Sequence, residues 1–195
     1  MSPPALLLFL ELEGVLVLNG SAKRALVADA VRSIASGRSK WGDFEDLWNR
    51  IFEPAPIQQL RILHEQFEPK YCLTSDWTAL MDRAAMLNVL RLSGLGFVAN
   101  NLHMRWETGS AHMQSHFGNA VETWLGINSD HNSLWAEVGS ELHESVQQKL
   151  PATYAEFSVV CCRDVGLTSF ETEKLRAAFL LRIQLSKLGH PIAPE

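Results

Sequence analysis

Apolar runs of strand length alternate along the chain with amphipathic stretches of helix length, the pattern of a parallel sheet covered by helices. The run Ala5–Leu10, reaching towards Leu12, predicts a first strand that is apolar on both faces. Gly14 and Asn19-Gly20 mark the loop after it. Leu26, Val27, Ala30, Val31 and Ile34 fall at helical spacing and predict a helix over Ala22–Ser36, with Gly37 as its stop. Asp43–Phe52 and Ile57–Gln66 read as two further helices, and Tyr71–Leu73 as a second strand. A helix is expected from Trp77 through Leu80, Ala84, Leu87 and Leu90 towards Gly94, with Ser75 or Asp76 as N-cap. Phe97–Ala99 reads as a weak third strand. Beyond it, helices over Ala111–Leu125, Glu141–Leu150 and Ser169–Leu188 alternate with strands Leu134–Val138 and Phe157–Cys162. The fold class that follows is α/β, a three-layer sandwich around a mostly parallel, Rossmann-like sheet of about five strands. One domain over 1–195 is the simplest organisation, with 21–52 as a small cap or helical insertion.

Composition narrows the class. Hydrophobic residues make up 47% of the 195 and charged residues 20%, so the chain can bury a core without a metal or disulfide staple. A net charge of -5, with no cluster of Lys and Arg, argues against a nucleic-acid partner. The three cysteines, Cys72, Cys161 and Cys162, are odd in number and two are adjacent. They read as small buried hydrophobes of a reducing compartment. Ala5–Leu10 is too short for a membrane span or signal core and has no basic flank, so a soluble, cytoplasmic chain with no membrane partner is expected.

The chemistry concentrates where the first strand ends. Leu8-Phe9-Leu10-Glu11-Leu12-Glu13-Gly14-Val15-Leu16 resembles the first motif of the haloacid dehalogenase (HAD) superfamily, an apolar strand followed by Asp-x-Asp-Gly-[Val/Thr]-Leu. In that family the first Asp attacks phosphorus and the second is the general acid/base; Glu11 and Glu13 occupy those positions here. Tyr71-Cys72-Leu73-Thr74-Ser75-Asp76-Trp77 resembles the second motif of a subgroup similar to HAD domains associated with RNA-repair proteins. The resemblance implies Thr74 as a phosphoryl-binding hydroxyl, with Ser75 beside it. Trp106-Glu107-Thr108 and Asn119-Ala120-Val121-Glu122-Thr123-Trp124-Leu125 resemble that subgroup's next stretches, and its basic residue falls at Asn119. Leu134–Val138 resembles a strand ending in a metal-binding Asp pair, which stands here as Gly139-Ser140. Val165-Gly166-Leu167-Thr168 resembles the Gly-Leu-Thr that opens the subgroup's last helix.

The departures bear on the chemistry. Lengthening Asp to Glu moves a carboxylate by roughly 1 Å, a displacement that can cost about 100-fold in rate. Replacing the basic residue by Asn119 removes an electrostatic stabiliser whose analogues are worth roughly 3–4 kcal/mol. Gly139-Ser140 in place of two carboxylates strips Mg²⁺ of its anchors on that strand, leaving Glu11 and Glu13 as the remaining candidates to hold it.

The resemblance so altered implies a pseudo-phosphatase that binds a ligand or protein without turnover and needs no cofactor. The alternative is a Mg²⁺-dependent phosphatase using Glu11 and Glu13, with Thr74 on the phosphate. A third reading is a protein-interaction or homo-oligomer module exploiting Trp41 and Trp48, since Trp is enriched at interface hot spots. Plainer readings stand beside these: Glu11 and Glu13 as surface carboxylates flanking Leu12, Thr74 and Ser75 as helix caps, and the six tryptophans as core. His112 and His116, spaced i, i+4 without a third ligand, read as solvent-facing. Cys161 and Cys162 read as inert packing residues in an apolar run.

Overall fold

A computed structural model describes residues 5–18, 20–108, 117–128, 134–140 and 156–188. Five strands, β1 (Leu6–Leu10), β2 (Lys70–Leu73), β3 (Leu102–Glu107), β4 (Leu134–Ser140) and β5 (Ser158–Cys161), form one sheet in the order β3-β2-β1-β4-β5. Every adjacent pair is parallel. The apolar run at the start of the chain is the central strand, as its composition requires: Leu7 to Leu10 are wholly buried because both faces are covered.

Seven helices accompany the sheet among the described residues: α1 (Gly20–Ala35), α2 (Glu45–Ile51), α3 (Pro54–Phe67), α4 (Arg83–Leu92), α5 (Gly96–Asn100), α6 (Phe117–Asn128) and α7 (Ser169–Lys187). Phe9 meets Trp124 of α6 edge-on, with ring centroids 5.3 Å apart. Tyr71 points to the opposite face, being next in sequence to Phe9's register partner Cys72, and stacks on His64 of α3. Helices thus cover both faces, the three-layer α/β sandwich that the alternation predicts. Among the described residues no helix is long and apolar enough to cross a membrane.

The 21–52 stretch shares the core of the sheet. Val27, Ala30, Trp48 and Ile51 belong to the same buried cluster as β1. Gly37 stops α1 as expected: its φ of +72° reverses the chain, so that Arg38 N–H donates to Ser33 O and Gly37 N–H to Ile34 O. Thr168 caps α7 reciprocally with Glu171.

Three expectations are corrected. Phe97–Ala99 is not a strand but part of α5; the third strand is Leu102–Glu107, where burial alternates poorly because β3 borders only β2. The helix expected from Trp77 is two pieces: a 3₁₀ turn over Asp76–Ala79 capped by Ser75, then α4, whose N-cap is Asp82 accepting from Ala85 N–H. Cys72 and Cys161 are buried, but Cys162 is exposed because the strand ends before it. Ala111 to His116, with His112 and His116, and the Glu141–Leu150 helix lie outside the described residues.

Candidate functional site at the carboxyl edge of the sheet

The chain runs from β1 outward through β2 and β3, then returns to the other side of β1 for β4 and β5. The boundary between β1 and β4 is therefore the topological switch point, where open parallel sheets form a crevice at their carboxyl ends. Each strand hands its backbone ladder to the residue that follows: Glu11 N–H donates to Val138 O at 3.0 Å, Thr74 N–H to Leu10 O at 3.0 Å, and Thr108 N–H to Leu73 O at 3.1 Å. Glu11, Thr74 and Ser140 thus sit on three adjacent strand ends by backbone register alone.

Glu11 is 2% exposed, and its Oε2 accepts from the backbone N–H of Ser140 at 2.7 Å. A carboxyl group with that partner ties the end of β4 to β1 across the switch point. The reading of Glu11 as a surface carboxylate is overturned, since it is buried along with Leu12 and Val15 to Val17.

Glu13 follows in a tight turn, in which Leu12 O accepts from the N–H of both Leu16 and Val17. Gly14 makes this turn possible. Its φ is +73°, and a Cβ there would lie 2.7 Å from Ser140 Oγ. Glu13 Oε2 accepts from the Ser75 hydroxyl, joining the β1 turn to the end of β2. Burial pushes the Glu13 carboxyl up to about 7. The Ser75 hydrogen bond opposes this, and the charges of Glu11 and Asp76 reinforce it. Glu13 is likewise no ordinary surface acid.

Ser75 does two jobs, since its Oγ also caps the 3₁₀ turn by accepting from Trp77 N–H at 3.2 Å. Thr74 caps nothing. Its Oγ1 is buried with no hydrogen-bond partner among the described residues, and the same holds for Ser140 Oγ and Glu13 Oε1. Three orphan oxygens at one sheet edge are notable because each costs about 1–3 kcal/mol if left unsatisfied. Asn119 lies in the first turn of α6, and its side chain is outside the described residues.

The sequence reading missed the basic groups that border this edge. α1 carries Arg24, which pairs with Asp76 at 3.5 Å, and Lys23, which pairs with Glu53 at 2.7 Å. The signal lay in the spacing of Lys23-Arg24 just after the loop, but their partners are set by tertiary packing. Gly20 brings α1 against Glu13 so closely that a Cβ would stand 2.9 Å from Glu13 Cγ.

A resident Mg²⁺ would need near-octahedral oxygen ligands. Among the described residues no three carboxyl, imidazole or thiol groups cluster to hold a metal. One oxygen of Glu11 and one of Glu13 are already engaged by Ser140 and Ser75. Fold and site together define a Rossmann-like α/β domain with an acidic pair at its switch point, Glu11 buried and Glu13 partly so. No protein-family model, curated protein or solved structure matches the chain.

Proposed function

We propose that the chain is a catalytically degenerate HAD-like protein, a pseudo-phosphatase that serves as a ligand- or protein-binding module in the cytoplasm. The observation that carries this reading is the use made of Glu11. The resemblance implies a nucleophile at that position, yet its carboxyl oxygen is fixed on the backbone N–H of Ser140. Ser140 itself stands where the resemblance implies a metal-anchoring acid. Glu13, in the acid/base position, is tied in the same way to Ser75. Both acids fasten strand ends together, work that needs no metal and no turnover.

What remains are three buried oxygens without a hydrogen-bond partner among the described residues, Thr74 Oγ1, Ser140 Oγ and Glu13 Oε1, suited to recognising a ligand through hydrogen bonds rather than to neutralising a transferring phosphoryl group. The test is turnover of an aryl phosphate by purified protein with Mg²⁺, compared with Glu11→Ala. Both proteins should release product at the uncatalysed rate. Mg²⁺-dependent hydrolysis abolished by Glu11→Ala would overturn the reading in favour of a phosphatase.

A further inference from the structure

A second surface feature lies away from the sheet edge. Between α1 and the segment running from the 3₁₀ helix Trp41–Phe44 into α2 is an open trough of about 620 Å³. One wall is α1, where Leu26 is exposed and Ala30, spaced i, i+4, is almost wholly buried; the other holds the partly buried Phe44 and Leu47, spaced i, i+3. Leu26 is 56% exposed, a large apolar side chain that the fold leaves in water. Trp48 is buried beneath this wall, against Phe44 and Trp41, and donates its indole N–H to Trp41 O at 2.9 Å. Of the tryptophan pair, Trp48 is buried and Trp41 partly exposed, their ring centroids 5.6 Å apart.

The two sides of the rim differ in charge. The chain has a net charge of -5, but the α1 side of the trough carries Arg32 and Arg38, while exposed Asp43, Glu45 and Asp46 flank Phe44 and Leu47 on the other side. Asp29, the acid in the lining, is engaged by Arg32 one turn away. Arg38 has no carboxylate partner among the described residues; its Nε donates to Ser36 Oγ at 2.9 Å. Nor is Arg38 on a loose tail. The Gly37 reversal and the bond from Arg38 N–H to Ser33 O hold its backbone against the last turn of α1.

We propose that this trough docks an acidic amphipathic helix of a partner protein. Two helix faces forming an open channel accept a third helix, whose apolar side chains at i and i+4 enter between Leu26, Ala30, Phe44 and Leu47. The distance from Leu26 to Ser33 along α1 is about 10 Å, two helical turns, enough for two such anchors. Glu or Asp beside the anchors pairs with the guanidinium of Arg38 and competes with Asp29 for Arg32. A compact small molecule is a poorer fit, because an open channel would leave much of its surface in water. The proposal is independent of the carboxyl-edge reading.

Selection of a displayed library of short helical peptides on the full chain tests it, with parallel selections on Arg38→Glu and Leu26→Asp. Both positions are exposed, and circular dichroism checks that each variant stays folded. Enriched peptides should combine two apolar positions one turn apart with flanking acids. Arg38→Glu and Leu26→Asp should each weaken their binding about tenfold or more, and added salt should weaken binding to the parent. Glu173→Gln, an exposed change on α7, should leave it unchanged. The proposal is overturned by an absence of consensus, by a basic or uncharged consensus, or by peptides indifferent to both substitutions. It is also overturned if the chain self-associates through the trough and Leu26→Asp abolishes that association, which would give the groove to a second copy.

Discussion

Glu13 titrates near neutrality because the turn that buries it removes water faster than Ser75 can compensate. Its value in the fold, about 7, lies above the 4.5 of a free side chain, so between those limits the folded chain binds more protons than the unfolded one. The stability it contributes is therefore present below pH about 4.5 and lost as pH rises through about 7. Glu13→Gln should remove that dependence and leave the protein about 1–3 kcal/mol more stable than the parent at pH 8, as read by urea denaturation. Equal stabilities at pH 8 would mean that Glu13 is solvated. His64 shows the reverse sign, because burial lowers its pKa from 6.5. Asn101 Oδ1 accepts from Lys70 Nζ, which turns the Asn101 amide nitrogen towards His64 Nε2. Nε2 must then accept, leaving Nδ1–H to donate to the Tyr71 hydroxyl at 3.2 Å. Nitrogen NMR should find this Nδ1–H tautomer, titrating below 6.5, with stability lost as pH falls through that range. An Nε2–H tautomer would refute the arrangement. The acids at 11 and 13 were legible because charges directly after an apolar run stand out. Their burial was not, since it depends on a tight turn and on partners, Ser140 and Ser75, that lie far away in sequence.

Elements were read best where sequence pattern and tertiary need coincide. β1 appears in the sequence as an unbroken apolar run, and β4 as one interrupted only by the buried Glu137 before its Gly-Ser end. β3 was missed although Leu102, Met104 and Trp106 alternate with His103, Arg105 and Glu107; Met104 is left exposed, which an outer strand tolerates. Phe97-Val98-Ala99 drew the strand assignment instead, yet those residues lie in the short helix α5. Short apolar runs cannot distinguish the two. The join between the β5–α7 loop and the β1 turn was likewise invisible, because it rests on backbone contact: Leu167 N–H donates to Val15 O at 2.9 Å. Gly166 permits that approach, with φ of +77° and a position where a Cβ would lie 2.6 Å from Val15 O. Gly166→Ala should therefore cost at least about 2 kcal/mol, since strain at positive φ adds to a clash with immovable backbone. A loss below about 0.5 kcal/mol in thermal or chemical denaturation would show that the loop shifts freely.

At the scale of the whole molecule, the order β3-β2-β1-β4-β5 fixes where chemistry could occur, and the residues at that place decide whether it does. The β-α alternation made the fold class readable, whereas the state of the site depended on which strand end meets which. Ser140 is the informative position. Its backbone N–H satisfies Glu11, while its side chain lies against Gly14 with no hydrogen-bond partner among the described residues. Ser140→Asp would add a carboxylate beside Glu11 and close to Glu13 without supplying a counter-charge. Bringing like charges together in a buried crevice should destabilise the fold by about 2–4 kcal/mol in the presence of a chelator. The same substitution completes a set of three carboxyl groups, so millimolar Mg²⁺ should return much of the lost stability by binding the folded state alone. The parent chain should show no Mg²⁺-dependent shift in Tm, because its acids are already spent on Ser140 and Ser75. A parent stabilised by Mg²⁺ to the same extent as the variant would mean that the acidic pair binds metal as it stands, and that its two hydrogen bonds yield to a cation.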